Sequence, residues 1–251
     1  MPLHETESIV LRSYDLAEAD RIVVFFTRQS GVIRGVAKGA RRAKSKFGSS
    51  LEPFSEITLE YFEKEDRELV SVRRADLLRS AFAAASDPNL FETYSNMIDR
   101  LIGFAQPHDP NETLFRMVRA CLRVDVSNSR DHKMLTLYFD IWLLRLGGFL
   151  PDWTICNSCR RPFSEIESAS LAGGFNLFCG TCSKSHSGTM ISPAQRCVIY
   201  DAQKLTPPDF VSRMRTRQEI VNEISVIVDR LISAALGREN NYSVRATSDA
   251  G

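Results

Sequence analysis

The 251-residue sequence predicts an α+β fold, in which a small five-stranded barrel is followed by a domain of α-helices. Three observations support this prediction. The first 80 residues contain short segments rich in Val, Ile, Thr and Phe, whereas the apolar residues after position 86 have helical spacing. Two cysteine pairs interrupt the helical part and predict an inserted module. With 43% hydrophobic and 25% charged residues, the composition is that of a globular protein.

Five segments of the N-terminal part have strand character, because they are short, partly alternating and rich in β-branched residues. They are residues 7–12, 22–28, 31–37, 55–62 and 68–73. Gln29-Ser30-Gly31 predicts a tight turn between the second and the third strand. Five short strands in so short a segment favour closure into a barrel, since closure removes unpaired strand edges.

Aspartate-proline pairs mark the starts of two predicted helices. Asp87-Pro88 and Asp109-Pro110 each place a capping carboxylate before a proline, whose missing N–H costs nothing at the first helical position. Residues 134–146 are apolar almost all round, which predicts a central buried helix ending at Gly147-Gly148. Ser192-Pro193 begins a further short helix.

The last predicted helix has an apolar face formed by Ile220, Ile224, Ile227 and Leu231, and it ends near Gly237. We therefore expect a barrel domain at residues 1–80 and a helical domain at 81–237, with the cysteine module at about 154–186. The polar residues 238–251 predict a disordered tail.

The cysteine pairs are the most specific pattern in the sequence. Each has the form CxxC, and nineteen residues separate Cys156 and Cys159 from Cys179 and Cys182. Two such pairs can present four thiolates to one tetrahedral ion, which predicts one structural Zn²⁺ per chain with no position left for a catalytic water. The alternatives are four unrelated buried cysteines or a redox-active CxxC, which usually begins a helix in a βαβ unit. The two remaining cysteines, Cys121 and Cys197, are expected in the core.

Positive charge is concentrated in residues 21–51, which include eight basic residues and no acidic ones, whereas residues 52–68 include seven acidic and two basic residues. A mobile, glycine-containing basic loop can follow a phosphate backbone, and aromatic side chains beside it can stack on bases. Phe25, Phe26 and Tyr61 are further candidates for stacking. The alternative is a solvated surface loop. The predicted DNA contacts are Arg34, Lys38, Arg41, Arg42, Lys44, Lys46 and Phe47.

Several classes of protein are disfavoured by what the sequence lacks. It contains no GxxxxGK[ST], HExxH or GxSxG motif, and no nucleophile, base and oxyanion site occur together, so we expect no enzymatic activity. It has no apolar run long enough to span a membrane and no signal peptide. We therefore expect a cytoplasmic protein.

Three passages resemble the family of the bacterial DNA repair protein RecO. They are residues 6–12, residues 35–54 with the sequence GVAKGARRAKSKFGSSLEPF, and residues 144–152 leading into Cys156. The resemblance covers most of residues 5–236. It implies an N-terminal OB-fold, a helical domain with the zinc module, and a cytoplasmic, nucleoid-associated protein. It also implies binding of single- and double-stranded DNA, annealing of complementary strands, partnership with RecR, and loading of the RecA recombinase onto strands covered by the single-strand-binding protein.

The same resemblance implies that the C-terminal helices bind the acidic, apolar tail of the single-strand-binding protein. The candidate cations for that contact are Arg196, Arg213, Arg215 and Arg217. Two other functions stay open. The protein can be a zinc-containing adaptor whose basic loop binds an acidic protein partner, or a metal-dependent nuclease, which would need a carboxylate cluster that the sequence does not display.

Overall fold

The computed structural model describes residues 2–63, 68–126 and 128–248, with side chains described as far as Gly237. The chain forms two compact units, Met1–Arg123 and Val124–Gly251. Among the described residues, the first contains a barrel and three α-helices, and the second contains four α-helices and the cysteine module. The predicted fold class is confirmed.

Five strands close the barrel in the order β1-β2-β3-β5-β4. Neighbouring strands are antiparallel except β3 and β5, which are parallel. Their inward side chains, among them Val10, Phe25, Ile33 and Leu59, form one buried core. The strands are β1 (Leu3–Leu16), β2 (Asp20–Thr27), β3 (Gly31–Ala37), β4 (Glu56–Phe62) and β5 (Leu69–Arg79).

The tight turn between β2 and β3 lies where the sequence predicted it. The Thr27 hydroxyl donates to the carbonyl oxygen of Gly31 at 2.9 Å and accepts from the N–H of Ser30 at 2.9 Å. Gly31 has a φ of 61°, and a Cβ there would lie 2.3 Å from the carbonyl oxygen of Asp109. Only glycine satisfies both constraints.

Three helices follow the barrel in the first unit: α1 (Phe82–Ser86), α2 (Pro88–Phe104) and α3 (Glu112–Cys121). Asp87 caps α2 as predicted, since its Oδ1 accepts from the N–H groups of Asn89 and Leu90. The prediction that Asp109 caps the next helix is wrong. Asn111 is the cap of α3, because its Oδ1 reaches the N–H of Leu114 at 2.9 Å while the Asp109 backbone packs against Gly31.

The second unit is built around α4 (Ser129–Leu146), which is buried along most of its length as predicted. The helices packed against it are α5 (Pro193–Lys204), α6 (Pro207–Met214) and α7 (Gln218–Ser248). Ser192 caps α5 in a reciprocal capping box with Gln195. The predicted helix end near Gly237 is wrong, since one glycine inside a helix costs only about 1 kcal/mol relative to alanine. The predicted disordered tail falls on this helical segment and on residues 249–251, which lie outside the described residues.

The cysteine module contains a three-stranded antiparallel sheet with the order β7-β6-β8. Its strands are β6 (Ala169–Ala172), β7 (Asn176–Phe178) and β8 (Thr189–Ile191). Gly173 and Gly174 join β6 to β7 with φ values of 58° and 84°, which glycine adopts without strain. The turn places β7 beside the first CxxC pair, where Asn157 exchanges hydrogen bonds with the backbone of Leu177. The second pair begins at Cys179, directly after β7. Within the described residues, no helix combines the length and the apolar character that crossing a membrane requires.

Candidate metal centre and nucleic-acid interface

Four cysteine thiols converge in the module. The Sγ atoms of Cys156, Cys159, Cys179 and Cys182 all lie within 4.8 Å of one another. A tetrahedral Zn²⁺ with Zn–S bonds of about 2.3 Å holds its sulfurs about 3.8 Å apart, and the Sγ atoms of Cys159 and Cys179 are separated by 3.9 Å. The thiols are therefore positioned to bind one metal ion, and the alternative of four unrelated cysteines is wrong.

Backbone N–H groups of the module point at the sulfurs. The N–H of Cys179 donates to the Cys156 Sγ at 3.3 Å. Burial raises the pKa of the Cys156 thiol, but N–H groups from Cys179, Cys159 and Ser158 outweigh it and lower the pKa to about 6. An N–H donor from Cys182 likewise lowers the pKa of Cys179. At Cys182 a hydrogen bond with Ser158 lowers the pKa, but the neighbouring thiols, Cys179 first, outweigh it and raise the pKa to about 11. The thiolate, which is the form that binds metal, is therefore favoured at Cys156 and Cys179.

An ion pair between Arg161 and Glu167 links the two ends of the loop that follows the first CxxC pair. Arg161 donates two hydrogen bonds to the Glu167 carboxylate, at 2.7 and 2.5 Å, and its own carbonyl oxygen accepts from the N–H of Cys156 at 2.9 Å. The hydrogen bond from Arg161 holds the pKa of Glu167 at about 2. Phe163 packs on the buried cysteines, and Phe178 stacks on His186 with ring centroids 4.3 Å apart. These contacts fix the positions from which the thiols project.

The basic segment between β3 and β4 is anchored to the barrel at both ends, although its composition predicted a mobile loop. At one end, the N–H of Gly39 donates to Asp20 at 2.8 Å and Arg41 donates to the carbonyl oxygen of Ala17 at 2.8 Å. At the other end, the Lys46 ammonium donates to the carbonyl oxygen of Arg73 at 2.5 Å. The loop therefore presents its remaining cations from a defined position on the barrel.

Six of the eight cations of residues 21–51 fall into two groups; of the other two, Arg28 pairs with Glu7 and Glu112, and Lys46 donates to the carbonyl oxygen of Arg73. Arg21 and Arg41 form ion pairs with Asp15, and Arg21 also pairs with Glu52. The second group is exposed, and no ion pair joins it to any described carboxylate. It consists of Arg34, Lys38, Arg42 and Lys44, which we call the open cations.

The acidic residues that follow in the sequence do not neutralise the open cations. Glu56 is buried and pairs with Arg123, and Glu60 pairs with two arginines of β5. Glu63 lies 3.5 Å from His4. Glu65 and Asp66 lie outside the described residues. The charge segregation in the sequence is therefore preserved on the surface of the described chain.

The aromatic side chains that were expected to stack on bases beside the open cations are buried in the protein. Phe47 is 4% exposed and belongs to the barrel core, so its ring cannot stack on a base in this conformation. Phe25, Phe26 and Tyr61 are buried as well. The prediction that Phe47 contacts DNA is therefore corrected: its apolar ring is better satisfied inside the barrel, where it anchors the basic loop.

The four C-terminal arginines do not lie on one surface patch. Arg213 and Arg217 both pair with Asp201, and Arg215 makes two hydrogen bonds to the buried carboxylate of Asp131. Arg196 lines a different groove, where it packs over the ring of Phe163 and donates to the carbonyl oxygens of residues 164 and 167.

This groove has a volume of about 1050 Å³ and lies between α5 and the loops on either side of the first CxxC pair. Its apolar lining includes Trp153 and Phe163, and Ile166 is 90% exposed at its edge. Two buried donors in lining residues, Trp153 Nε1 and Arg196 Nε, have no hydrogen-bond partner. The apolar part of this lining is suited to an apolar ligand.

Further cations of the groove were not singled out from the sequence. Arg145 lies over the ring of Trp142 at 4.8 Å, and Lys204 lies over the ring of Tyr200 at 5.6 Å. The spacings i, i+3 and i, i+4 on a helix are a signal that could have found these pairs. Cys197 also lines the groove and is exposed, so the expectation that it packs in the core is wrong, whereas Cys121 is buried as expected.

Comparisons with known proteins agree over both units. Residues 1–81 match the family model for the N-terminal part of recombination protein O, and residues 93–243 match the model for its C-terminal part. Among curated relatives, the DNA repair protein RecO of Koribacter versatilis is 36% identical over 163 residues, which are 65% of this chain and 66% of the relative. The RecO of Thermodesulfovibrio yellowstonii is 28% identical over 95% of this chain and 96% of the relative. The RecO of Bifidobacterium adolescentis is 32% identical over 80% of this chain and 79% of the relative.

Proposed function

The chain belongs to the RecO family of DNA repair and recombination proteins, and from that premise we propose that it binds single-stranded DNA through its open cations and anneals complementary strands. The observation that carries this proposal is the placement of Arg34, Lys38, Arg42 and Lys44, which are exposed and unmatched by any described carboxylate. A phosphate backbone is the polyanion that such a surface attracts most strongly.

Annealing on this surface needs no chemical catalysis. Two single strands repel each other through their phosphates, and a cationic surface lowers that repulsion while raising the local concentration of both strands. Base pairing then supplies the driving force. Because phosphate contacts carry no sequence information, the protein should act on strands of any sequence.

The salt dependence of affinity tests the proposal directly. If four to six cations contact phosphates of a single strand, log affinity against log salt should have a slope of about −3 to −4. Titration of a labelled oligonucleotide with the full chain at several salt concentrations measures that slope, and an annealing assay on the same preparation measures the activity. An affinity that does not change with salt would refute phosphate binding.

The family also supports a role as a recombination mediator. In this part of the proposal, the protein acts with RecR to load recombinase onto strands covered by the single-strand-binding protein. The groove beside α5 is the docking site that we favour for the acidic, apolar tail of that protein. Its lining combines the apolar rings of Trp153 and Phe163 with a small excess of positive charge, because three cations outnumber two acidic residues: Arg145, Arg196 and Lys204 against Asp152 and Glu165. Of the four arginines considered from the sequence, Arg196 is the one in this position.

The cysteine cluster is proposed to hold a structural Zn²⁺. Sulfur ligands at tetrahedral spacing suit zinc, and four of them leave no position for a substrate or catalytic water. The ion would hold the two CxxC turns together, so that its binding free energy contributes to folding of the module.

The adaptor alternative makes a different prediction for variants in which the charge of the open cations is reversed. If the basic loop binds an acidic protein partner, then reversing the charge of the open cations should abolish partner binding and leave DNA affinity unchanged. A nuclease would cleave DNA when Mg²⁺ is added.

A further inference from the structure

Two arginines of β5 lie beside the basic loop, outside the segment that the sequence pattern singled out. Arg73 and Arg74 are consecutive residues, yet their side chains are 53% and 63% exposed. Successive side chains of a regular strand point to opposite faces, so that one of two neighbours in a barrel should face the core. Their common exposure therefore requires an irregularity in the strand.

A β-bulge supplies that irregularity. Glu60 of β4 pairs with Arg74, but the next residue of β4, Tyr61, pairs with Val72, which leaves Arg73 as the additional residue. Bulges bend a strand locally and redirect a side chain, and they often occur beside functional sites. Here the bulge turns a second guanidinium to solvent without moving Val72 out of the core.

The bulge is adjacent to the open cations. Lys46 donates its ammonium hydrogen bond to the carbonyl oxygen of Arg73, so the end of the basic loop lies directly on the bulge. The parallel pairing of β3 with β5 matches Val36 with Ser71, and two residues further along each chain come Lys38 and Arg73. The strand that leads into the basic loop therefore runs beside the part of β5 that precedes the bulge.

One carboxylate holds both arginines in the absence of a ligand. Glu60 lies 3.4 Å from Arg73 and 3.9 Å from Arg74, and it is 16% exposed. Arg74 also pairs with Asp76 at 2.8 Å. Both guanidinium groups are more than half exposed, so a phosphate can bind their outward N–H groups while the mostly buried Glu60 keeps its contacts.

We propose that Arg73 and Arg74 form a second phosphate-binding element, which extends the surface of the open cations across β5 and is held ready by Glu60. This inference rests on the proposed DNA binding. A strand bound by the loop would pass over the bulge, where the two guanidinium groups contact its phosphates. Glu60 holds the two guanidinium groups at the bulge, but its negative charge also competes with the phosphates, and the competition is the larger effect on affinity.

The test uses the full chain and a labelled single-stranded oligonucleotide of mixed sequence at several salt concentrations. For R73E/R74E we expect at least a tenfold loss of affinity at low salt and a salt slope that is less negative by about 1.4, because two phosphate contacts are lost. For E60Q we expect affinity to rise a few-fold, since the competing charge is removed. R116E is the control for reversing an exposed arginine outside the proposed surface, because Arg116 belongs to α3, which packs at the opposite end of β2 through Phe26.

Thermal unfolding verifies that each variant is folded, and R73Q/R74Q replaces R73E/R74E if the charge reversal destabilises the barrel. The inference is overturned if the β5 variants bind as R116E does while R42E/K44E binds weakly. If neither the β5 variants nor R42E/K44E lose affinity, then the proposed DNA surface itself is wrong. Weakening of both sets, with a gain for E60Q, supports the inference.

Discussion

Arg123, which follows α3, donates two hydrogen bonds to the carboxylate of Glu56 on β4. That carboxylate is 4% exposed, and Arg79 at the end of β5 lies 3.7 Å from it. The hydrogen bond to Glu56 raises the pKa of Arg123. The pair joins the chain after α3 to the barrel wall, which explains physically why the compact unit ends at Arg123 and not at the last strand.

Removing the guanidinium should destabilise the first unit. In R123M the buried Glu56 keeps only the more distant Arg79, and a hydrogen bond to a charged group contributes about 1.5–3 kcal/mol. We expect the free energy of unfolding to fall by about 2–3 kcal/mol in urea titrations, with DNA affinity little changed. The double variant E56Q/R123M should recover part of the loss, because it leaves no unpaired buried charge. Equal stability of R123M and the unmodified protein would show that the pair does not join the two segments.

Reversal of charge at the loop should weaken DNA binding for every sequence. In R42E/K44E two open cations become anions at exposed positions where no described carboxylate is their partner. We expect a loss of affinity of at least tenfold at low salt, together with slower annealing, because the strands are no longer concentrated on the surface. R116E again controls for a change of net charge on an exposed arginine. A loss confined to particular sequences would argue for base contacts instead.

Loss of the metal should unfold the cysteine module and leave the barrel intact. Replacement C159S removes one ligand of the four, and a strong chelator removes the ion. Bound zinc, measured by elemental analysis, should fall from one per chain to a small fraction, and the module should become sensitive to protease. DNA affinity should change little, since the open cations belong to the other compact unit. Full protease resistance of C159S without metal would contradict a structural role.

Substitutions in the groove should separate partner docking from DNA binding. In Y200A/K204E the exposed ring and one rim cation are lost, while the structural hydrogen bonds of Arg196 are kept. We expect at least a tenfold weaker binding of a peptide with the acidic, apolar tail sequence, measured by fluorescence anisotropy, and unchanged DNA affinity. R230E, an exposed change on α7, is the control. Unchanged peptide binding in Y200A/K204E would place the docking site elsewhere.

The correct predictions from sequence depend on local chemistry. The barrel strands follow from runs of β-branched residues, the β2–β3 turn from Gly31, and the start of α2 from the carboxylate of Asp87. The convergence of the two cysteine pairs requires only that the chain between them turn back on itself, and the turn between β6 and β7 does this. In these cases the residues that decide the outcome lie within a few positions of one another or, for the cysteines, form two pairs of the same local pattern.

The errors concern residues whose surroundings come from distant parts of the chain. The residues around Phe47 in the sequence have the composition of a surface loop, yet its side chain packs in the barrel core. Three of the four C-terminal arginines, which lie close together in the sequence, form ion pairs with Asp131 and Asp201 on other helices. Their charge is therefore matched within the protein. Arg73 was not predicted as a surface cation beside the loop, because the alternation of apolar and polar residues along a strand does not reveal a β-bulge.

The sequence by itself determined the five barrel strands and the helical character of most of the remaining chain, the four thiols and the separation of positive from negative charge, because spacing and composition act over short distances. Only the tertiary structure decided which cations stay open and which side chains line the groove. A charge is neutralised, and a ring is buried, by whichever residue the fold brings within a few ångströms, and sequence distance does not limit that choice.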